Sequence, residues 1–201
     1  MNPLESQITS SSNTSTSKES IPASTPSRPL KKQALPSTKQ ELPLTKQVWQ
    51  NQSIHYLMPG ELWVGPPPEQ SLSTLLNSGI AMVFYHQQPD FIGFCHFLTV
   101  SHNADCVRRG DAHYGEKATA RILRAFSNEG YAPQDIQVKI FGASHMHSDT
   151  VASAQHNTTF AFGFVRRNNL RLTSSDTGGN YGRQIYLNPT NFDVKVRKIL
   201  P

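Results

Sequence analysis

Two nearly continuous apolar runs, GIAMVFYH (Gly79 to His86) and FIGFCHFLTV (Phe91 to Val100), are separated by the polar QQPD. Their length and aromatic content predict two buried strands joined by a tight turn. Ile54 to Val64 reads as an earlier strand broken at Pro59 and Gly60, and GPPPE at Gly65 to Glu69 as a stiff loop that cannot join a ladder. A helix is predicted from Asp111 or Ala112 to Glu129, with Ala118, Ile122, Ala125 and Phe126 on one face. Asp111 is its expected N-cap, and Gly130 followed by Pro133 its stop. Ile136 to Phe141 alternates as a strand does. A second helix, Ser153 to Asn168, buries Phe160, Ala161, Phe164 and Val165. Strands then follow near Leu170 to Thr173, Arg183 to Leu187 and Phe192 to Ile199. Strands alternating irregularly with two helices predict an α+β domain of layered mixed or antiparallel sheets, packed together with the two helices outside.

The pattern stops short of the N-terminus. Residues 1–47 are rich in Ser, Thr, Pro, Lys and Gln with almost no apolar periodicity, which predicts a disordered tail before a domain spanning 48–201. That tail holds six of the 19 Lys and Arg, among them Arg28, Lys31 and Lys32, but only three of the 14 acidic residues, so it supplies +3 of the formal +5. The remainder is only mildly basic, which argues against a nucleic-acid partner. No apolar run has the length of a membrane span, and the tail lacks the apolar core of a secretory signal, so a cytoplasmic protein without membrane insertion is expected. Two cysteines are too few for a disulfide framework and fit no zinc spacing. His145, His147 and Asp149 form an H-x-H-x-D string suited to zinc, but it sits in a loop without a distant partner, so neither a metal nor a cofactor is expected.

Chemistry concentrates between Ser71 and Leu98. A buried strand that opens with small residues after a polar turn lets a backbone approach a substrate closely, and His96 on the neighbouring strand is the natural base. A histidine in an apolar strand is otherwise a hydrogen-bonded core residue. Near the C-terminus, GGNYGR (Gly178 to Arg183) can gather amide N–H groups and a charged donor, so that Gly178, Gly179 and Arg183 bind substrate or stabilise an oxyanion; the alternative is a tight structural turn, with Asp176 capping it.

These pieces fall in the order and spacing of a known family. PGELWV (Pro59 to Val64), STLLNSGIA (Ser73 to Ala81), GFCHF (Gly93 to Phe97), HYGEKATARILRAFSNEGY, KIFGASHM, HNTTF and GGNYGR together resemble the CheD family of bacterial chemotaxis, over about Met58 to Leu200. The resemblance implies a layered α+β fold shared with other cysteine hydrolases. It also implies an enzyme that deamidates glutamine side chains of methyl-accepting chemoreceptors, and a CheC-type phosphatase as a second partner. In that reaction a thiolate attacks the carboxamide carbon, ammonia leaves, and water hydrolyses the thioester with a histidine as base and then acid. Carried onto this chain, His96 takes the histidine position, Ser73 a hydroxyl position usually held by threonine, and Gly79 the cysteine position. Glycine has nothing to attack with, so impaired or absent hydrolysis is expected.

Substitutes for the thiol are poor. Cys95 is adjacent to His96 and so points to the opposite face of its sheet. Ser78 lies beside the lost thiol but again on the other face, and an unactivated serine is a weak nucleophile. Cys106, near Arg108 and Arg109, keeps open an active amidohydrolase. A binding module that needs no thiol is the other alternative. Asn77 and Ala143 stand where the family usually has glycine and narrow the expected pocket.

Overall fold

The computed structural model describes residues 53–88, 90–101 and 111–200. The tail at 1–47, Cys106, Arg108, Arg109 and the side chain of Asp111 lie outside the described residues. The two apolar runs form the strands their pattern predicts, β4 (Ile80–Tyr85) and β5 (Ile92–Phe97), both wholly buried because each face meets a different apolar layer.

The stretch around Pro59 and Gly60 divides one predicted strand into two, β1 (Ile54–Tyr56) and β2 (Leu62–Gly65), which enter different sheets. Proline lacks the N–H a ladder needs, so the chain crosses between sheets there. Ser71–Leu76 forms β3, an element the apolar pattern had not marked because small polar residues alternate with its leucines. Strand β6 (Gln137–Gly142) matches expectation, while β7 (Arg171–Thr177) runs beyond Thr173; β8 (Gly182–Leu187) and β9 (Val194–Ile199) complete the set. The helices are α1 (Gly115–Asn128) and α2 (Val151–Arg167). Helix α1 begins later than expected: Asp111–His113 make a 3-10 turn and Tyr114 occupies the N-cap, without a side-chain cap bond.

One sheet has the order β1-β3-β8-β9, the other β2-β5-β4-β6-β7. Pairing is antiparallel except between β1 and β3 and between β6 and β7. The α+β expectation therefore holds, with mixed sheets stacked face to face. Alternation along β5 shows the layering: Ile92 and Phe94 pack with Leu72, Leu76, Ile185 and Leu187 of the four-stranded sheet, whereas Cys95 and Phe97 pack with Ile122, Phe126 and Ala161 of the helices. Both helices thus cover one face of the five-stranded sheet. Among the described residues no helix is long and apolar enough to cross a membrane.

Candidate active site

His96 sits on the inner side of β5, one residue from Cys95 and on the opposite face. Its ring is held by a short relay from the four-stranded sheet. The Thr74 hydroxyl lies 2.8 Å from His96 Nδ1 and 2.7 Å from the Leu57 carbonyl. A hydroxyl has one proton and a carbonyl has none, so Thr74 donates to Leu57 and accepts from Nδ1–H. That fixes the neutral tautomer and leaves the lone pair on Nε2, the form a general base requires. Nε2 has no hydrogen-bond partner, and the residue is 1 % exposed. Burial, with the charge of His113 as a second cause, pushes His96 down to about 4. The backbone is tied as well: Gly60 N donates to His96 O at 2.8 Å and His96 N to Glu61 O at 3.3 Å. The His113 ring lies directly against Gly60, leaving no space for a Cβ there.

The lone pair of His96 faces residue 79. A Cβ placed on Gly79 would stand 3.0 Å from His96 Nε2, 2.8 Å from the Phe97 carbonyl oxygen and 3.2 Å from Leu98 Cδ2. Residue 79 and the His96 ring are therefore brought together, with glycine supplying no atom between them. Its surroundings are fixed. Asn157 Nδ2 donates to Ser78 O and Leu98 O, both at 2.9 Å, and Ala143 N donates to Gly79 O at 2.8 Å. Gly142, at φ 113°, must be glycine, because a Cβ there would run into the Gly79 carbonyl. Ala143 follows at φ 52°, a left-handed conformation that costs an L-residue energy.

One assignment changes by a single residue. Ser73 is buried, but its hydroxyl donates to Ile185 O across the β3–β8 ladder at 2.9 Å, and Thr74 is the hydroxyl beside His96. The two point to opposite faces of β3, so a register of one moves the role entirely. The sequence carried the needed signal: in SLSTLL, Leu72, Thr74 and Leu76 share the parity of the buried leucines. Asn157, Leu57 and His113 were not singled out at all. Asn157 lay within HNTTF, whose helical face marks it as inward with Ala154 and Ala161.

The GGNYGR segment is tied to the end of β6. Gly178 and Gly179 are left-handed, at φ 78° and 79°; Gly178 N donates to Gly142 O, and Gly179 O accepts from His145 N, both at 2.9 Å. Arg183 is fully buried. Its terminal nitrogens donate to Ser144 Oγ at 2.7 Å, Asp176 Oδ1 at 2.6 Å and Tyr181 Oη at 3.2 Å, and its guanidinium lies 4.4 Å from the Tyr181 ring centroid. These contacts favour the structural-turn reading for Arg183, with Asp176 as its ion-pair partner rather than a simple turn cap. Gly178 does border a cavity of about 450 Å³, shared with Ala143, His145, Gln155 and Thr158. Among the described residues no group of three or more His, Cys, Asp or Glu is placed to hold a metal ion. Cys95 is buried in the helix-side core, and burial raises its thiol to about 12, so it cannot supply a thiolate.

Comparison with known proteins gives a consistent result. A family described as "CheD chemotactic sensory transduction" matches residues 98–198. The "Probable chemoreceptor glutamine deamidase CheD" of Pseudomonas fluorescens (strain SBW25) is 32% identical over 150 residues, 70% of this chain and 82% of that one. The proteins of the same name from Jannaschia sp. (strain CCS1) and Pseudomonas syringae pv. tomato (strain ATCC BAA-871 / DC3000) are 27% identical over 144 residues and 30% over 147. They are covered to 81% and 86%, against 72% and 70% of this chain. Among solved structures, the Bacillus licheniformis hypothetical protein YfiH aligns at a TM-score of 0.41 with 11% identity, covering 64% of this chain and 61% of that chain.

Proposed function

This chain belongs to the CheD family, and we propose that it is a chemotaxis protein which engages methyl-accepting chemoreceptors but hydrolyses their glutamines poorly or not at all. One observation carries the reading: the unpartnered Nε2 of His96 points at residue 79, where glycine removes the thiol. Deamidation converts a glutamine carboxamide and water into glutamate and ammonia, and the difficult step is the first attack on the amide carbon. His96 is oriented to take a proton from a nucleophile at 79, and Thr74 with Leu57 holds the tautomer that can do so. Ser73 takes no part. The cavity bordered by Gly178 is the space we assign to the approaching glutamine side chain, with Gly179 shaping its turn and Arg183 bracing it.

The working compartment in this reading is the cytoplasm, where receptor signalling bundles lie, and a CheC-type phosphatase is a second candidate partner. The test is mass spectrometry of a chemoreceptor cytoplasmic fragment after incubation with the protein, scoring glutamine-to-glutamate conversion, with receptor and phosphatase pull-downs run as separate baits. The expected result is receptor capture without conversion. Conversion by the unaltered chain, abolished by Cys106→Ala, would overturn the reading and move the nucleophile to Cys106.

A further inference from the structure

Strand β7 is the last strand on one side of the five-stranded sheet, and among the described residues no further strand pairs with it. Arg171 to Ser175 are exposed in succession, without the buried alternation of a covered strand. Its ladder to β6 is parallel, and two bonds show which backbone groups that ladder uses: Arg171 N donates to Ile136 O and Gly178 N to Gly142 O, both at 2.9 Å. Backbone groups alternate sides along a strand, so Ser175 and Thr177 turn theirs away from β6. Proteins blunt such an edge with Lys, Pro or a bulge. Here the register shift lies at Val138 and Lys139, and beyond it Ser174 to Thr177 pair regularly with neither Lys nor Pro among them. Beside the strand lies an apolar cavity of about 560 Å³, with Phe162, Val165, Leu170 and Leu172 in its lining and no carboxylate there. Arg166 also lines it, and the Arg167 guanidinium lies against Gly163, another lining residue. Both arginines and Arg171 are exposed, and among the described residues none of the three guanidinium groups has a hydrogen-bond or ion-pair partner.

We propose that β7 takes up an extended acidic segment of a partner protein as an additional strand, with one apolar side chain of that segment in the cavity and a carboxylate on Arg166 and Arg167. Main-chain bonds to an open sheet edge supply affinity, and a pocket beside the edge selects the side chain. The planar fork of an arginine suits a carboxylate. The charge pattern selects the occupant. A second copy paired through β7 would bring only Asp176, which Arg183 already holds at 2.6 Å, so the arginines would stay unmatched. The chain's own first 47 residues carry +3 and do not complement them either. A helix laid on the cavity would leave the outward backbone groups of Ser175 and Thr177 without partners. A nucleic acid is held by many phosphate contacts and gains little from Phe162 and Leu172. An acidic strand satisfies the edge, the cavity and the arginines together. The inference does not depend on residue 79 or on His96.

The test uses the full chain and three fluorescein-labelled peptides of seven residues, the length of β7, each built on valine with a central leucine. One carries Glu at its remaining positions, one carries Lys, and the third is the Glu peptide N-methylated along its backbone so that it cannot join a ladder. Fluorescence anisotropy is read for the unaltered protein, for Ser175→Pro, which removes an outward N–H but no bond to β6, and for the double variant Arg166→Glu/Arg167→Glu. Circular dichroism confirms that each is folded. The Glu peptide is expected to bind at least tenfold more tightly than either of the others, Ser175→Pro to weaken it at least tenfold, and the double variant to invert the preference between Glu and Lys. Should Ser175→Pro fail to fold, the methylated peptide reads the same edge contact. Amide shifts in NMR spectra should map binding to β7 and the C-terminal turns of α2. Equal binding of the Glu peptide and its methylated form, or a preference for Glu that survives the double variant, overturns the proposal. So does sedimentation showing a dimer that Ser175→Pro dissociates, or displacement of the Glu peptide by a single-stranded oligonucleotide.

Discussion

Restoring a side chain at residue 79 tests the reading of the site through stability alone, before any substrate is involved. In Gly79→Ala the new Cβ falls 2.8 Å from Phe97 O, a backbone atom with little freedom. Phe97 pairs with Ile80 in the β4–β5 ladder, and the next residue is pinned on both sides, Leu98 N donating to His113 O and Leu98 O accepting from Asn157. Overpacking of this kind costs about 1–3 kcal/mol. Replacing a glycine whose backbone is compatible returns about 0.4–1 kcal/mol through the unfolded chain. The expected net loss for Gly79→Ala is therefore about 1–2 kcal/mol, or roughly 2–8 °C in Tm at about 2–4 °C per kcal/mol for a chain of this size. Gly79→Cys introduces the same Cβ but adds a thiol within reach of His96 Nε2. A buried acceptor without a partner costs about 1–3 kcal/mol, and a weak S–H donor recovers the lower end of that. The cysteine variant should therefore be about 1 kcal/mol more stable than the alanine variant. Urea unfolding followed by tryptophan fluorescence measures both. A cysteine variant less stable than alanine by a similar margin would mean that the Nε2 lone pair does not face residue 79, and the assignment of that residue as the nucleophile position would fail. The same geometry warns that Gly79→Cys need not regain deamidation, because the ring and the β5 backbone must first yield several tenths of an ångström.

Three further outcomes follow from the cited geometry. Ala143→Gly relieves a left-handed alanine, worth about 1–2 kcal/mol, against about 0.5–1 kcal/mol for glycine's extra backbone freedom; thermal melts should show a gain of about 0.5–1 kcal/mol, and a loss would contradict strain at φ 52°. Burial holds His96 near 4 when folded against 6.5 for an ordinary imidazole, so the unfolded chain binds the proton first as pH falls. The stability held above pH 6.5 should then drop between about 6.5 and 4, by up to about 3 kcal/mol at about 1.4 kcal/mol per unit. Urea midpoints at pH 7 and 4.5 should show this drop shrinking in His96→Gln, and an identical pH dependence would remove His96 as its source. Arg183→Ala strips the partner from Asp176, which is 33 % exposed, so the loss of a buried pair is discounted to about 2–3 kcal/mol; a variant of unchanged stability would return Arg183 to a substrate-binding role.

How far the sequence reached depended on how local each determinant is. Strands β4 and β5, helix α2 and the turn at Gly178 follow from apolar runs, helical spacing and glycine pairs, all readable within a short window. Strand β3 did not, because Ser71 and Ser73 break its apolar content and its burial comes from β8, far along the chain. The same distance explains the slip from Thr74 to Ser73: which face of β3 meets His96 is set by the pairing of Leu72 with Leu187 and Thr74 with Ile185. Helix α1 starting at Gly115 rather than Asp111 reflects the bridge between Thr99 and Tyr114, which holds Tyr114 extended beside the chain that follows β5. Arg183 read as a charged donor to substrate or oxyanion because the sequence around it gives no hint that Ser144, Asp176 and Tyr181 converge on it.

A buried imidazole facing glycine is a costly way to fill a core. The neutral ring gives up hydration, its acceptor atom goes without a bond, and an apolar side chain of similar volume would remove both penalties. What offsets them lies on the other side of His96. Its carbonyl accepts from Gly60, its amide donates to Glu61, and its Nδ1–H supports the Thr74 hydroxyl that in turn holds Leu57. These contacts gather where the chain leaves β1 in one sheet and enters β2 in the other, so His96 also closes the joint between the two sheets. On the proposed reading His96 has two duties, and the structural one alone suffices to keep the relay ordered with glycine at residue 79. It also separates the two sides of the ring physically: glycine at residue 79 bears on Nε2 alone and leaves the joint at Nδ1 and the backbone untouched.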